Sequence, residues 1–128
     1  MRLTGLLAGL TVIGVVGCGG GGSSGPPRQS GNTPPPAGGV TVFNDRFSPD
    51  TKVVAPSTTV LWGWNTCSGE GGYGGGETCV GHNVTFSDGV ASVTQETGTF
   101  SRTFTAAGTY DYHCTLHPGF MQGTVRVE

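Results

Sequence analysis

The chain has 128 residues, which suits one small domain. Charged residues make up only 11% of it, while glycine fills 25 positions, so part of the chain is expected to be linker or loop rather than core. The formal net charge is −2, and only six lysines and arginines are present. Such a composition excludes the basic surface that nucleic-acid binding requires.

The N-terminal segment is typical of an exported protein. An apolar run over residues 3–16 follows Met1 and Arg2. As a helix it would reach about 21 Å, too short for a hydrocarbon core of about 30 Å. We therefore predict a signal peptide over residues 1–17.

The end of that segment, Val-Val-Gly-Cys, resembles the lipobox of bacterial lipoproteins. This resemblance implies cleavage before Cys18 and lipidation of its side chain. The protein would then be anchored to a bacterial membrane, either the periplasmic side of an outer membrane or the outer face of the cell membrane. A plain signal peptide with a chance cysteine is the alternative.

Residues 18–39 are predicted to be a tether that starts at the lipidated cysteine. Residues 19–39 are rich in glycine, serine and proline and show no apolar periodicity. As a flexible coil this stretch would span about 25 Å. The folded domain is predicted to occupy residues 40–128.

That domain shows apolar residues at every second position, the pattern of half-buried strands. Turn residues separate the strands, and no window has a convincing helical period. We predict an all-β, two-sheet sandwich of seven or eight strands. Arg102 shares the apolar side of its strand. The apolar positions, in chain order, are Val40 and Val42; Val60, Trp62 and Trp64; Val84 and Phe86; Phe100 and Phe104; Tyr110, Tyr112 and Cys114; Val125 and Val127.

Residues 65–81 are predicted to form a long loop, because seven of these 17 residues are glycine. Loops of this length are uncommon in compact domains and are often functional. The loop contains Cys67 and Cys79, which would most simply pair as a disulfide in an oxidising compartment. Closing this loop would contribute about 3 kcal/mol to stability.

Cys114 is then left as a free thiol in a segment of metal-binding side chains. Cys114, His117 and Met121 follow one another with the spacing C-x2-H-x3-M between two predicted strands, and His82 stands at the head of an earlier strand. Two imidazoles, one thiolate and a weak axial thioether are the donors of a type 1 copper site. The sequence therefore predicts one copper ion per chain.

Residues 81–84 (GHNV), 112–118 (YHCTLHP) and 121–125 (MQGTV) resemble the cupredoxin family, above all its plastocyanin and amicyanin group. The resemblance implies a Greek-key β-sandwich with copper at one end. It implies hydrogen bonds between Asn83 and Thr115 that join the two ligand loops. The spacing of three residues between His117 and Met121 differs from the usual spacings of both plastocyanins and amicyanins. The implied ligands are His82, Cys114, His117 and Met121, and the implied electron port consists of His117, Pro118, Gly119 and Phe120.

The predicted function is that of a membrane-tethered one-electron shuttle between transient redox partners, and not that of an enzyme. His113 points away from Cys114 in a strand. We interpret it as structural, because a second, catalytic copper would need more histidines than the chain has. Three alternatives remain open: a copper carrier of metal homeostasis, a zinc site made of Cys79, His82, Cys114 and His117, and a metal-free β-sandwich binding module.

Overall fold

The structure is a computed structural model that describes residues 31–33, 35, 37–69 and 76–128. The predicted signal peptide, Cys18 and the tether as far as residue 30 lie outside the described residues, so these predictions stay predictions. Among the residues described, no helix has the length and apolar character to cross a lipid bilayer.

Two four-stranded sheets form a sandwich. The first has the strand order β2-β1-β4-β8, and the second has the order β3-β10-β9-β7. The first contains β1 (Val40–Val42), β2 (Phe47–Ser48), β4 (Thr58–Trp64) and β8 (Thr99–Phe104). The second contains β3 (Thr51–Val54), β7 (Thr85–Phe86), β9 (Gly108–His113) and β10 (Gln122–Val127). Some neighbouring strands, such as β4 and β8, are distant in sequence, and the predicted all-β sandwich is confirmed.

Parallel and antiparallel pairs coexist in both sheets. β1 runs parallel to β4, and β3 runs parallel to β10, while the other pairs of the two sheets are antiparallel. At the end of β9, His113 lies opposite both Thr85 of β7 and Gln122 of β10. This register brings the segment before β7 beside the loop that connects β9 to β10.

An aromatic core lies between the sheets. Trp62 of the first sheet meets Phe86 and Tyr112 of the second, with ring centroids 5.6 and 5.5 Å apart and nearly perpendicular planes. Edge-to-face packing of this kind adds to the stabilisation gained from burial alone. Trp62 and Trp64 are both fully buried, as their shared face of the strand predicts.

Arg102 enters this apolar region because its charge is compensated there. Its guanidinium carbon lies 4.2 Å from the ring centroid of Phe86 and 4.9 Å from that of Phe104, which gives cation–π contacts. Its two terminal nitrogens donate to both carboxylate oxygens of Asp88, and these bonds lower the pKa of Asp88. A bidentate ion pair thus explains an arginine on the apolar side of β8.

The structure contains strands that the alternation pattern did not predict. β3 reads Thr-Lys-Val-Val and has no regular alternation, since it is an edge strand with both faces partly exposed. The predicted loop 65–81 contains a two-stranded hairpin, β5 (Cys67–Ser68) with β6 (Thr78–Cys79). Both elements are defined by pairing with a neighbouring strand, β3 with β10 and β5 with β6, rather than by apolar periodicity.

Gly123 of β10 allows the side chain of Tyr112, on the neighbouring strand β9, to pack closely against its backbone. The two residues are direct partners in the β9–β10 ladder. A Cβ atom on Gly123 would lie 2.7 Å from Cε2 of the tyrosine ring and closer still to two other atoms of that side chain. Burial also raises the pKa of Tyr112 to about 12.

We predict that Gly123→Ala lowers the free energy of unfolding by about 1–3 kcal/mol, because the buried ring has no room to move aside. Urea unfolding of the metal-free protein measures the change. Gly76→Ala is the control, since a Cβ there would meet no atom of the described residues within 4 Å. Equal stability of the two variants would contradict the prediction.

Candidate metal centre

Three predicted ligands converge at one end of the sandwich. The Sγ atom of Cys114 lies 3.7 Å from Nδ1 of His82 and 3.9 Å from Nδ1 of His117. The donor atoms of the three residues all lie within 4.8 Å of one another. Cys114 is a free cysteine, and both it and His82 are fully buried, whereas His117 is half-buried.

The electrostatics of the cluster suit a metal ion. Burial, and secondarily the neighbouring His117, lowers the pKa of His82. His82 therefore favours the neutral imidazole, whose Nδ1 lone pair can bind a metal. One thiolate and two imidazoles are a donor set that copper prefers.

The loop from Cys114 to Met121 is closed by its own backbone. The amide of Cys114 donates to the carbonyl oxygen of Met121 at 3.0 Å, and the amide of Met121 donates to the carbonyl oxygen of His117 at 3.0 Å. The amide of His117 in turn donates to the carbonyl oxygen of Cys114 at 3.1 Å. These bonds fix the backbone positions of the three loop residues relative to one another.

The three-residue spacing before Met121 is accommodated by an outward-facing residue. Met121 is fully buried, whereas Phe120, which precedes it, is 63% exposed. The amides of both residues approach the same carbonyl oxygen, that of His117. The loop can therefore differ in length from those of plastocyanins and amicyanins while its methionine still turns inward.

The predicted connection between the ligand loops is present. The amide of Thr115 donates to Oδ1 of Asn83 at 2.9 Å, and Nδ2 of Asn83 donates to Oγ1 of Thr115 at 2.7 Å. Asn83 follows the candidate ligand His82, and Thr115 follows the candidate ligand Cys114. The pair of hydrogen bonds therefore joins the two backbone segments that carry the buried donors.

The surface next to His117 is apolar and exposed. The ring centroid of His117 lies 5.3 Å from the ring centroid of Phe120. The side chain of Leu116 is 55% exposed. Pro118 and Gly119 are exposed as well. The structure thus places the four residues of the predicted electron port on one surface loop.

His113 lies apart from this cluster. It lines an open cleft of about 360 Å³ on the second sheet, together with Asp111, Gln122 and Thr124. Among the described residues, the groups of three or more histidine, cysteine or acidic side chains close enough to hold a metal do not include it. The interpretation of His113 as structural agrees with this placement.

The predicted disulfide between Cys67 and Cys79 is present and joins β5 to β6. It therefore excludes the alternative zinc site, because Cys79 has no thiol to offer. The bond lies three residues before His82, so the hairpin leads directly into the candidate metal centre.

The end of the predicted tether contacts the domain. The side-chain amide of Asn32 pairs with both backbone groups of Cys67, at 2.9 and 3.2 Å. The amide of Thr33 donates to the carbonyl oxygen of Trp64 at 2.6 Å. These contacts lie before residue 40, where the sequence predicts the domain to begin.

Comparison with known proteins places the chain in a family. Residues 42–128 match the model of copper-binding proteins of the plastocyanin/azurin family. The chain therefore belongs to that family, the cupredoxins, and copper is its cofactor.

Individual relatives agree with this assignment. The chain is 52% identical over 54 residues to amicyanin from Paracoccus denitrificans, a match that covers 37% of this chain and 40% of the relative. An oxidised single-site variant of amicyanin superposes with a TM-score of 0.56 at 31% identity, over 70% of this chain and 79% of the other. A copper-containing nitrite reductase from Thermus scotoductus superposes with a TM-score of 0.53 at 25% identity, over 70% of this chain but only 22% of the enzyme.

We predict that replacing both Cys67 and Cys79 by serine lowers the free energy of unfolding by about 2–4 kcal/mol, since the unfolded chain regains the freedom of the glycine-rich loop. Urea unfolding of the metal-free protein measures this change. Ser68→Ala is the matched control, because Ser68 is an exposed residue of the same hairpin. An unchanged stability of the double variant would contradict a stabilising role of the disulfide.

Proposed function

We propose that the protein is a type 1 copper electron-transfer protein and not an enzyme. One copper ion would be held by Cys114, His82, His117 and Met121. The convergence of one buried thiol and two imidazoles, with one donor atom of each within 4.8 Å of the others, is the observation that carries this proposal. When bound, copper supplies a one-electron couple between Cu(II) and Cu(I).

The protein's own contribution is to hold the donors still. Thiolate sulfur is a soft ligand for Cu(I), and imidazole suits copper in general. The backbone bonds within the 114–121 loop and the link between Asn83 and Thr115 resist rearrangement of the donors. A fixed set of donors keeps the structural change between oxidation states small, which favours fast electron exchange.

The unequal exposure of the two histidines supports a single route for electrons. His82 is fully buried, whereas His117 reaches a surface that includes the exposed side chains of Leu116 and Phe120. Redox partners bind through small, transient contacts. We infer that the donor and the acceptor both dock on this surface, close to the edge of His117.

We further propose that the protein is exported and tethered to a membrane through lipidated Cys18. The sequence Val-Val-Gly-Cys supports this proposal, and the disulfide supports an oxidising compartment. The segment after Cys18 would act as the tether and keep the copper domain close to its membrane-associated partners. Such confinement raises their effective concentration.

The alternative of a copper carrier is disfavoured by burial. A carrier must release its metal readily to a partner, which requires donors that the partner can reach. Both Cys114 and His82 are fully buried, so their exchange with a partner's ligands would require the loop to open.

Electron self-exchange between Cu(I) and Cu(II) forms tests the port without knowledge of the natural partners. We expect Phe120→Glu to slow self-exchange about tenfold or more, because two like charges would face each other when two ports meet. NMR line broadening of mixed oxidation states measures the rate.

Val53→Glu is the matched control. Val53 is 51% exposed and lies opposite Arg126, well along β10 from the ligand loop. The Val53→Glu substitution introduces the same charge as Phe120→Glu, and we expect it to leave the self-exchange rate almost unchanged. Equal slowing by the two substitutions, or no slowing by Phe120→Glu, would contradict the proposed port.

A further inference from the structure

The backbone of His82 is held from outside the two ligand loops. Its carbonyl oxygen accepts one hydrogen bond from the amide of Gln95, at 3.0 Å, and a second from the indole Nε1 of Trp64, at 3.1 Å. The amide of His82 donates to the carbonyl oxygen of Gln95 at 3.0 Å. Both polar groups of this backbone unit therefore have fixed partners.

The side chain of the next residue, Asn83, is held in a similar way. Besides its two bonds to Thr115, it donates through Nδ2 to Oγ1 of Thr94 at 3.0 Å, and Oδ1 accepts from the hydroxyl of Thr85 at 3.3 Å. A primary amide has two donor hydrogens and two acceptor lone pairs. All four are occupied here, so the orientation of the amide is fully determined.

We propose that Trp64 and Thr94 are positioning residues for the copper ligand His82, an inference that rests on the proposed function. Trp64 acts through the carbonyl group of His82, and Thr94 acts through the amide of Asn83. Neither residue belongs to a ligand motif, and their hydrogen bonds go to the backbone of His82 and to the side chain of Asn83 rather than to the donor atoms of the cluster. Together with the backbone of Gln95 they hold the segment that carries the buried imidazole.

Trp64 is itself firmly anchored. Its side chain is fully buried, and its backbone amide donates to the carbonyl oxygen of Gly98 at 3.1 Å. Its carbonyl oxygen accepts from the amide of Thr33, whose hydroxyl oxygen in turn accepts from the amide of Gly98 at 3.1 Å. The indole N–H is therefore presented to His82 from a rigid support.

The effect on the metal follows from the short connection between backbone and donor. The imidazole of His82 is attached to the backbone unit that hydrogen-bonds to Trp64 and Gln95. The Nδ1 atom of this imidazole lies 3.7 Å from the sulfur of Cys114. A small shift of that backbone therefore changes the distance between the two donors. Loss of a partner that orients a ligand typically weakens metal binding 10–100-fold.

Substitutions at Thr94 test one arm of the proposal. Thr94 is exposed, so Thr94→Val removes the hydroxyl without disturbing the core. We expect the Cu(II) dissociation constant to rise about tenfold or more and the thiolate-to-copper absorption to shift. Thr94→Ser should restore both. Thr103→Val is the control, since it removes only the hydroxyl contact with Thr59 on the exposed face of the first sheet.

Substitutions of the two tryptophans test the other arm. Trp64→Phe removes the N–H group that donates to the carbonyl oxygen of His82. We expect this substitution to weaken Cu(II) binding by about tenfold or more, as for Thr94→Val. Trp62→Phe is the matched control, because Trp62 is equally buried, whereas the hydrogen bond to the carbonyl oxygen of His82 comes from Trp64. Equal loss of copper affinity in both variants would mean general loosening of the core and would overturn the role of Trp64.

A measurement on the metal-free protein makes the positioning visible without copper. We expect the side-chain amide protons of Asn83 to exchange slowly with solvent in the wild type and in Thr94→Ser, and faster in Thr94→Val. Unchanged exchange, copper affinity and absorption in Thr94→Val would overturn the role of Thr94.

A wild-type protein that binds no copper would refute the proposed function, and the positioning proposal with it. A wild type that binds copper normally, with variants that match their controls, would refute only the positioning proposal.

Discussion

A buried thiol that faces two imidazole nitrogens sets what the surrounding fold must hold in place. Cys114, His82 and His117 come from two segments 32 residues apart in the chain, yet one donor atom of each lies within 4.8 Å of the others. Their convergence requires β7 to pair with β9, because that pairing sets the segment before β7 beside the end of β9. The sandwich therefore acts as the support that brings the two segments together.

Two layers of hydrogen bonds then refine the arrangement. The inner layer lies within and between the ligand loops and consists of the backbone bonds of residues 114–121 and the bonds between Asn83 and Thr115. The outer layer reaches His82 and Asn83 from Trp64 and Thr94. Since metal ligands are oriented by their hydrogen-bonded neighbours, both layers bear on how rigidly copper is held. A rigid donor set is what an electron carrier requires.

Functional residues are predictable from the sequence where their chemistry is concentrated in a short segment. Cys114, His117 and Met121 lie within eight residues, and their donor types alone pointed to copper. The burial of Trp62 and Trp64 followed from strand alternation. Contacts made by chemically ordinary residues were not predictable. Thr94 resembles any exposed threonine, and the bond from Trp64 to His82 depends on packing between segments 18 residues apart.

Other elements escaped prediction for related reasons. β3 is an edge strand whose partner fixes it, so its own residues need no alternation. The β5–β6 hairpin has only two residues in each strand and is held by the disulfide and by Asn32 rather than by an apolar face. The contacts of Asn32 and Thr33 were hidden because their surroundings have the composition of a flexible tether.

The visible absorption spectrum of the Cu(II)-loaded protein, followed during titration with a one-electron reductant, tests whether Cys114 binds copper in a one-electron redox site. We expect an intense thiolate-to-copper band that bleaches with one equivalent of reductant, returns on reoxidation and is absent from Cys114→Ala. A colourless protein that binds Cu(I) or Zn(II), or a band that survives in Cys114→Ala, would contradict it.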